Sequence, residues 1–294
     1  MVLPPIRTNT THHHITLADG RRLSFAEFGQ RQGKAVFYFH GFPGSRLEAM
    51  LADKIAKDSG VRFIGIDRPG FGLSDFKSAR KLIDWPFDVS ELADSLGADR
   101  FSILGVSGGG PYAAACACQI PNRLISVGIV CGLGPVDITG NMDQLVWSYR
   151  QGLRLAGTFP QTVTAVYPFL AFFFRHYPER MLSILSTKLT RPDRLALQKS
   201  ALRKVLSCSF REAFRSSLRW PAADVVLYSR PWGFDLSDIR IAVHLWHGEM
   251  DKIVPAAMGH YLADTIPRCR ATFYADEGHF SIFANRMHEI WRIF

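Results

Sequence analysis

The sequence predicts an α/β fold, a mostly parallel central sheet with helices on both faces and an inserted helical cap. Three observations predict it. Short apolar runs alternate with helix-length segments before residue 135 and again after residue 240. A glycine-flanked turn at residues 105–109 joins one apolar run directly to a helix, and the stretch between the two alternating regions carries helical spacing alone.

Residues 14–19 alternate in polarity, Gly20 supplies a turn, and residues 23–28 alternate again, which argues an antiparallel hairpin. Residues 35–39, Ala-Val-Phe-Tyr-Phe, are instead continuously apolar, as suits a strand covered on both faces. Further strands are expected at 61–66, 101–106 and 124–130, separated by helices over 46–58, 84–96 and the segment opening at Gly110 and Pro111. Right-handed crossovers between such strands give a parallel sheet. From 141 to 228 the spacing is helical, with breaks expected at Pro160, Pro168, Pro178, Pro192 and Pro221. A strand at 241–246, a helix at 255–266, a strand at 271–274 and a helix at 280–294 close the chain. The expected organisation is therefore a core in two parts, 1–135 and 236–294, with a helical cap at 136–235.

A chain of 294 residues can bury a sizeable core. Its formal charge of +9 would permit attraction to anionic surfaces. The basic residues are nevertheless scattered among apolar ones, as on solvated helix faces, and form no tract that could follow phosphates; no nucleic-acid partner is expected. Five cysteines form no C-x-x-C pair, consistent with reduced thiols and a cytoplasmic location. Residues 1–11 lack the apolar core of a signal peptide, and the most apolar stretch, 163–174, is too short to span a bilayer and contains Pro168, so no stable membrane insertion is expected. His12, His13 and His14 read as edge-strand histidines rather than a metal site.

The turn Gly105-Val106-Ser107-Gly108-Gly109 is a nucleophile elbow, in which small neighbours permit strained geometry at Ser107 and expose its hydroxyl. A serine needs a base, and the base needs an orienting carboxylate. Of ten histidines, His279 is best placed, in a loop after the last strand that emerges at the same carboxyl edge of a parallel sheet as the elbow. His40, which also ends a strand, reads as a supporting residue. The loop His40-Gly41-Phe42-Pro43-Gly44 lets backbone approach a ligand, so that the N–H groups of Phe42 and Gly108 would receive a developing oxyanion. For the carboxylate, Glu249 and Asp251 both follow the penultimate strand, Asp251 lying nearer the next helix, while Glu277 is too close in sequence to His279 to face its ring well. The loop Asp67-Arg68-Pro69-Gly70-Phe71-Gly72 is not a dinucleotide fingerprint, since no helix opens from it, and reads as packing beneath the site. The aromatics Trp147, Tyr167, Phe169, Phe172, Phe173, Phe174 and Tyr177 read as packing within the cap, with an apolar acyl or alkyl guest if some face a cleft.

Together these pieces resemble the α/β-hydrolase superfamily in its capped, esterase-like and lipase-like branch. The resemblance rests on His40 to Gly44, Asp67 to Asp75, the elbow at Ser107, His247-Gly248-Glu249-Met250-Asp251 and Gly278-His279, in the superfamily's order of serine, acid, histidine. It implies Asp251 as the acid of a Ser107–His279–Asp251 triad, a small-molecule ester substrate, an acyl-enzyme intermediate, and no metal or organic cofactor. Relatives with an aspartate nucleophile are set aside by Ser107, whereas carbon–carbon bond hydrolases, thioesterases, aminopeptidases, cofactor-free haloperoxidases and ligand receptors of the same fold stay open. Gly108, where many members carry a bulkier residue, would widen the pocket.

Overall fold

The structure, a computed structural model, describes residues 12–136 and 147–294, and of the side chains in the helix opening at Trp147 it describes those from Arg150 onward. The N-terminal segment 1–11, the first part of the expected cap, 137–146, and the Trp147 side chain lie outside the described residues.

The chain builds a three-layer α/β structure. The strands are β1 (His13–Thr16), β2 (Arg22–Gly29), β3 (Lys34–Phe39), β4 (Val61–Ile66), β5 (Phe101–Val106), β6 (Leu124–Val130), β7 (Val243–Gly248) and β8 (Cys269–Tyr274). They form one sheet in the order β1-β2-β4-β3-β5-β6-β7-β8. β1 and β2 pair antiparallel, β2 joins β4 antiparallel, and all pairs from β4 to β8 are parallel. The helices of the sheet layers are α1 (Asp53–Asp58), α2 (Trp85–Ser95) and α3 (Gly110–Gln119) before the insertion. Between β6 and β7 come α4 (Trp147–Thr158), α5 (Pro160–His176), α6 (Pro178–Ser186), α7 (Arg191–Gln198), α8 (Ser200–Ala213) and α9 (Ala222–Tyr228), and then α10 (Ala256–Thr265) and α11 (Ser281–Ile290) complete the layers.

Period-two alternation sorts the central strands between two cores. Phe37 and Phe39 of β3 pack with Val89 and Leu92 of α2 and with the alanines of α3, while Val36 and Tyr38 pack on the other face with Ala56 of α1 and Ile282 of α11. Burying each such large apolar side chain is worth about 1.5–3 kcal/mol. Double burial explains why these strands read as continuous apolar runs.

Two elements differ from the expectations. The segment 46–58 is a 3-10 turn, Arg46–Ala52, followed by α1, because Arg46 and Glu48 are drawn inward to Asp67 and Gly41. Pro168 does not break α5: its fixed φ suits a helix, one ladder bond is lost, and Val163, Tyr167 and Ala171 hold the two halves on one buried face. Among the described residues no helix is long and apolar enough to cross a membrane.

Candidate active site

At the carboxyl end of β5 the chain enters α3 through residues 107–109, and Ser107 takes φ +53°. A non-glycine residue in that region costs about 1–3 kcal/mol and persists only where its surroundings impose it. They do so here by close packing: a Cβ on Gly109 would lie 2.1 Å from the Phe39 carbonyl oxygen. The Leu133 N–H donates to the Ser107 carbonyl at 3.0 Å, fixing the turn from the loop after β6.

The loop after β8 carries His279 to the same edge, where its Nδ1 lies 2.7 Å from Oδ2 of Asp251 in the loop after β7. Oδ1 of Asp251 accepts from the Ile253 and Val254 N–H groups at 2.7 and 2.9 Å. Burial pushes the Asp251 pKa up, but the charge and hydrogen bond of His279 outweigh it and hold it below the usual carboxylate value. For His279, burial favours the neutral ring, while Asp251 chiefly, with Asp193 and Glu48, draws its pKa above the ordinary imidazole value. Ser107, Asp251 and His279 are each nearly buried. Among the described residues no hydrogen bond joins the Ser107 hydroxyl to His279; in sites without a ligand such contacts are commonly long.

Glu249 and Glu277 turn elsewhere. Glu249 meets the ring of half-exposed His260 at 3.0 Å, and Glu277 accepts from Arg286 at 2.9 Å and from Asn285 at 3.0 Å. His40 is fully buried; its Nδ1–H donates to the Gly41 carbonyl and its Nε2 accepts from the Arg68 N–H. Burial and the neighbouring Arg68 push its pKa far down, so the ring stays neutral and structural.

The loop after β3 faces the elbow. A Cβ on Gly41 would lie 3.6 Å from Ser107 Cβ and 4.0 Å from its Oγ, and one on Gly108 would lie 2.9 Å from Phe42 Cβ. That same Gly108 Cβ would lie 2.7 Å from the Tyr228 hydroxyl oxygen. The space beside Gly108 is thus occupied by Tyr228 and Phe42, and the glycine makes room for α9 instead of widening a pocket.

The loop at residues 67–72 packs beneath this edge as expected, with Arg68 buried there, but sequence reasoning missed the residues that clamp it: Asp224, Arg80, Tyr112, Tyr228 and Glu48. Asp224 of α9 is fully buried and accepts from Arg68 Nε at 2.9 Å, from the Tyr112 hydroxyl at 2.6 Å, and from Arg80. Burial pushes its pKa up, yet the two arginines outweigh burial and hold it below the usual range. Arg68 also donates to the carbonyls of His40 and Gly41, and the Tyr228 hydroxyl lies 2.8 Å from the Gly108 carbonyl and 3.0 Å from Asp224. Glu48, likewise buried, accepts from the Gly41 N–H at 2.9 Å, the Tyr38 hydroxyl at 3.0 Å and the Ser209 hydroxyl at 3.1 Å. Buried polar groups need such partners; the contacts of Asp224 with Arg68, Arg80 and Tyr112, of Tyr228 with Gly108 and of Glu48 with Ser209 join positions more than 100 residues apart, and no local spacing announces them.

The aromatic stripe of α5 divides. Tyr167 packs on Phe42 and Phe214, and Phe174 packs on Phe210, whereas Phe169, Phe172 and, just beyond the helix, Tyr177 are exposed. The packing reading therefore fails for these last three.

Cys131, His247 and Asp251 bring ligand atoms within 4.8 Å of one another, the only such metal-like group among the described residues. The donors do not suit an ion: both Asp251 oxygens are engaged, His247 Nε2 donates to the Val254 carbonyl at 2.9 Å, and burial pushes the Cys131 thiol up so that it keeps its proton.

A family model described as alpha/beta hydrolase fold matches residues 34–285. The chain is 34% identical over 114 residues, 38% of its own length and 41% of the relative's, to a putative 2-succinyl-6-hydroxy-2,4-cyclohexadiene-1-carboxylate synthase of Bacillus subtilis. It is 31% identical over 131 residues, 44% of this chain and 48% of the relative, to a non-heme chloroperoxidase of Streptomyces lividans. The chain thus spans less than half the length of these curated relatives. Among solved structures, the esterase RhEst1 from Rhodococcus sp. ECU1013 superposes with a TM-score of 0.69 at 19% identity, covering 96% of this chain and 97% of that one, a likeness of fold.

Proposed function

The chain belongs to the α/β hydrolase fold family, and from that premise we propose that it is a serine hydrolase cleaving a carboxylic ester with an apolar acyl or alkyl group. The observation that carries this reading is the 2.7 Å contact of His279 with buried Asp251 on the sheet edge where Ser107 is held at positive φ. In the proposed reaction Ser107 Oγ attacks the ester carbonyl carbon as His279 Nε2 takes its proton. Asp251 keeps the other ring nitrogen protonated and stabilises the imidazolium. The tetrahedral oxyanion forms between the N–H groups of Phe42 and Gly108. Collapse breaks the ester C–O bond, the alcohol leaves with the proton from His279, and water activated by the same ring releases the acid. Phe42, with Tyr167 tilted against it and Tyr228 meeting it edge-on beside the elbow, favours an apolar group over a charged one. The segment 136–235 is proposed to act as the cap over this site.

The likeness to the non-heme chloroperoxidase favours a second reading on the same residues, in which the acyl group on Ser107 passes to hydrogen peroxide and yields a peracid. Short-chain p-nitrophenyl esters distinguish the cases. Continuous turnover that is lost in Ser107→Ala supports the hydrolase, and peracid formation that outpaces hydrolysis when peroxide is added supports the second reading. Binding of the ester without turnover contradicts both.

A further inference from the structure

We propose that Asp193, supplied by α7 of the helical insertion, is a positioning residue for His279. The proposal rests on the serine hydrolase reading above. Asp193 is fully buried in the first turn of α7. Its carboxylate does not serve its own helix. Oδ2 accepts from the His279 N–H at 3.0 Å, and Oδ1 accepts from the N–H groups of Phe280 and Ser281 at 2.8 and 2.9 Å.

These three donors are the opening of α11, whose first N–H groups have no partner within their own helix. An anion there is favoured by both the free donors and the helix dipole. The fit is close: a Cβ on Gly278 would lie 2.4 Å from Asp193 Oδ2, so the residue before His279 must be glycine for the carboxylate to reach the backbone. The contact fixes the backbone nitrogen of His279, and with it the origin from which the imidazole reaches Asp251 on one side and the elbow on the other. Because α7 belongs to the insertion, any shift of that layer against α11 moves the proposed base.

Asp193 also contributes charge. The titratable groups facing His279 are Asp251 from the loop after β7, Asp193 from α7, Glu48 from the turn after β3 and the buried, neutral His247 at the end of β7, while Glu277 on its own loop points away to Arg286. Among these Asp193 ranks after Asp251 in drawing the His279 pKa upward. It therefore favours the imidazolium that forms when Ser107 gives up its proton.

Asp193→Asn tests this with little change of volume. The asparagine oxygen can still accept from Phe280 and Ser281, but its amide would point N–H at the N–H of His279. The expected result is a folded protein whose kcat falls by about 100-fold, the loss a small misplacement of a reacting group can cause, with KM changed less than about threefold and the acid limb of kcat/KM moved to lower pH. NMR titration of the His279 ring in the same variant should show the same fall in pKa, a readout that needs no turnover. Wild-type kcat and an unmoved His279 titration in folded Asp193→Asn would overturn the proposal. Unfolding of both Asp193→Asn and Asp193→Ser would also overturn it, by making the carboxylate a strut of the fold alone. Ser107→Ala assayed alongside separates this from the broader reading: full turnover there would sink the serine mechanism, whatever the NMR titration shows for Asp193.

Discussion

The carboxylate that meets His279 is that of Asp251, 2.7 Å from Nδ1, although Glu249 stands only two residues earlier; Glu249 instead faces His260 at 3.0 Å. The loop after β7 turns between them, with the Asp251 N–H donating to the Gly248 carbonyl at 3.1 Å. Asp251→Asn should lower the acylation rate by roughly 10⁴, since an amide stabilises the wrong tautomer of the histidine. Glu249→Gln should change it by less than about tenfold, or about 1.4 kcal/mol of barrier. Pre-steady-state kinetics with a p-nitrophenyl ester reads both; the reverse ranking would reassign the acid.

The pH dependence follows from His279. Its pKa is drawn above the ordinary value of 6.5, and the proposed reaction needs the neutral ring, so kcat/KM should rise with pH through a midpoint above 6.5. Stability runs the other way. A raised folded pKa contributes stability that is fully present below the unfolded value and fades as pH climbs through the folded one. Activity and the His279–Asp251 contribution to stability should therefore cross in the same window, as rate profiles and urea titrations from pH 5 to 9 would show. An acid limb centred below 6.5 would contradict the electrostatics.

Gly108→Ala tests the proposed oxyanion site. Its methyl group would press on the Tyr228 hydroxyl and on Phe42 Cβ, at 2.7 and 2.9 Å, displacing the Phe42 N–H. A loss of about 10²–10³ in kcat is expected, as for removal of one oxyanion donor, with KM little changed. A fall in kcat/KM arising from KM alone would point to a binding role.

The buried cluster beneath the edge should behave as a unit. Asp224→Ala leaves Arg68 and Arg80 buried without their shared carboxylate, and breaking such a pair costs about 3–5 kcal/mol. Chemical denaturation should show that loss; a change below about 1 kcal/mol would mean that the arginines find other partners.

What the sequence made legible divides along physical lines. The strands and the elbow at Ser107 are local patterns: continuous apolar runs such as residues 35–39 and glycine spacing around one serine reveal themselves without long-range knowledge. His279 could be singled out because a parallel sheet sends every strand's carboxyl end to one edge, whereas the same argument left Glu249 and Asp251 both open and the choice of Asp251 rested on the family resemblance. Asp193, Asp224 and Glu48 could not, because each sits where its role within its own segment looks ordinary, an acid in the first turn of a helix, while its partners, or for Glu48 the Ser209 among them, lie on distant segments. Gly108 misled for a related reason: an absent side chain reads as open space, and Tyr228, 120 residues away, fills it. Pro168 misled because the packing of Tyr167 and Ala171 outweighs the loss of a single helical hydrogen bond.

The central claim, that Ser107 is the nucleophile, is tested most directly by a fluorophosphonate probe followed by intact-mass analysis. The account predicts one adduct on the wild-type protein, located on Ser107, and none on Ser107→Ala, with labelling slowed in His279→Ala. Equal labelling of wild type and Ser107→Ala would contradict it.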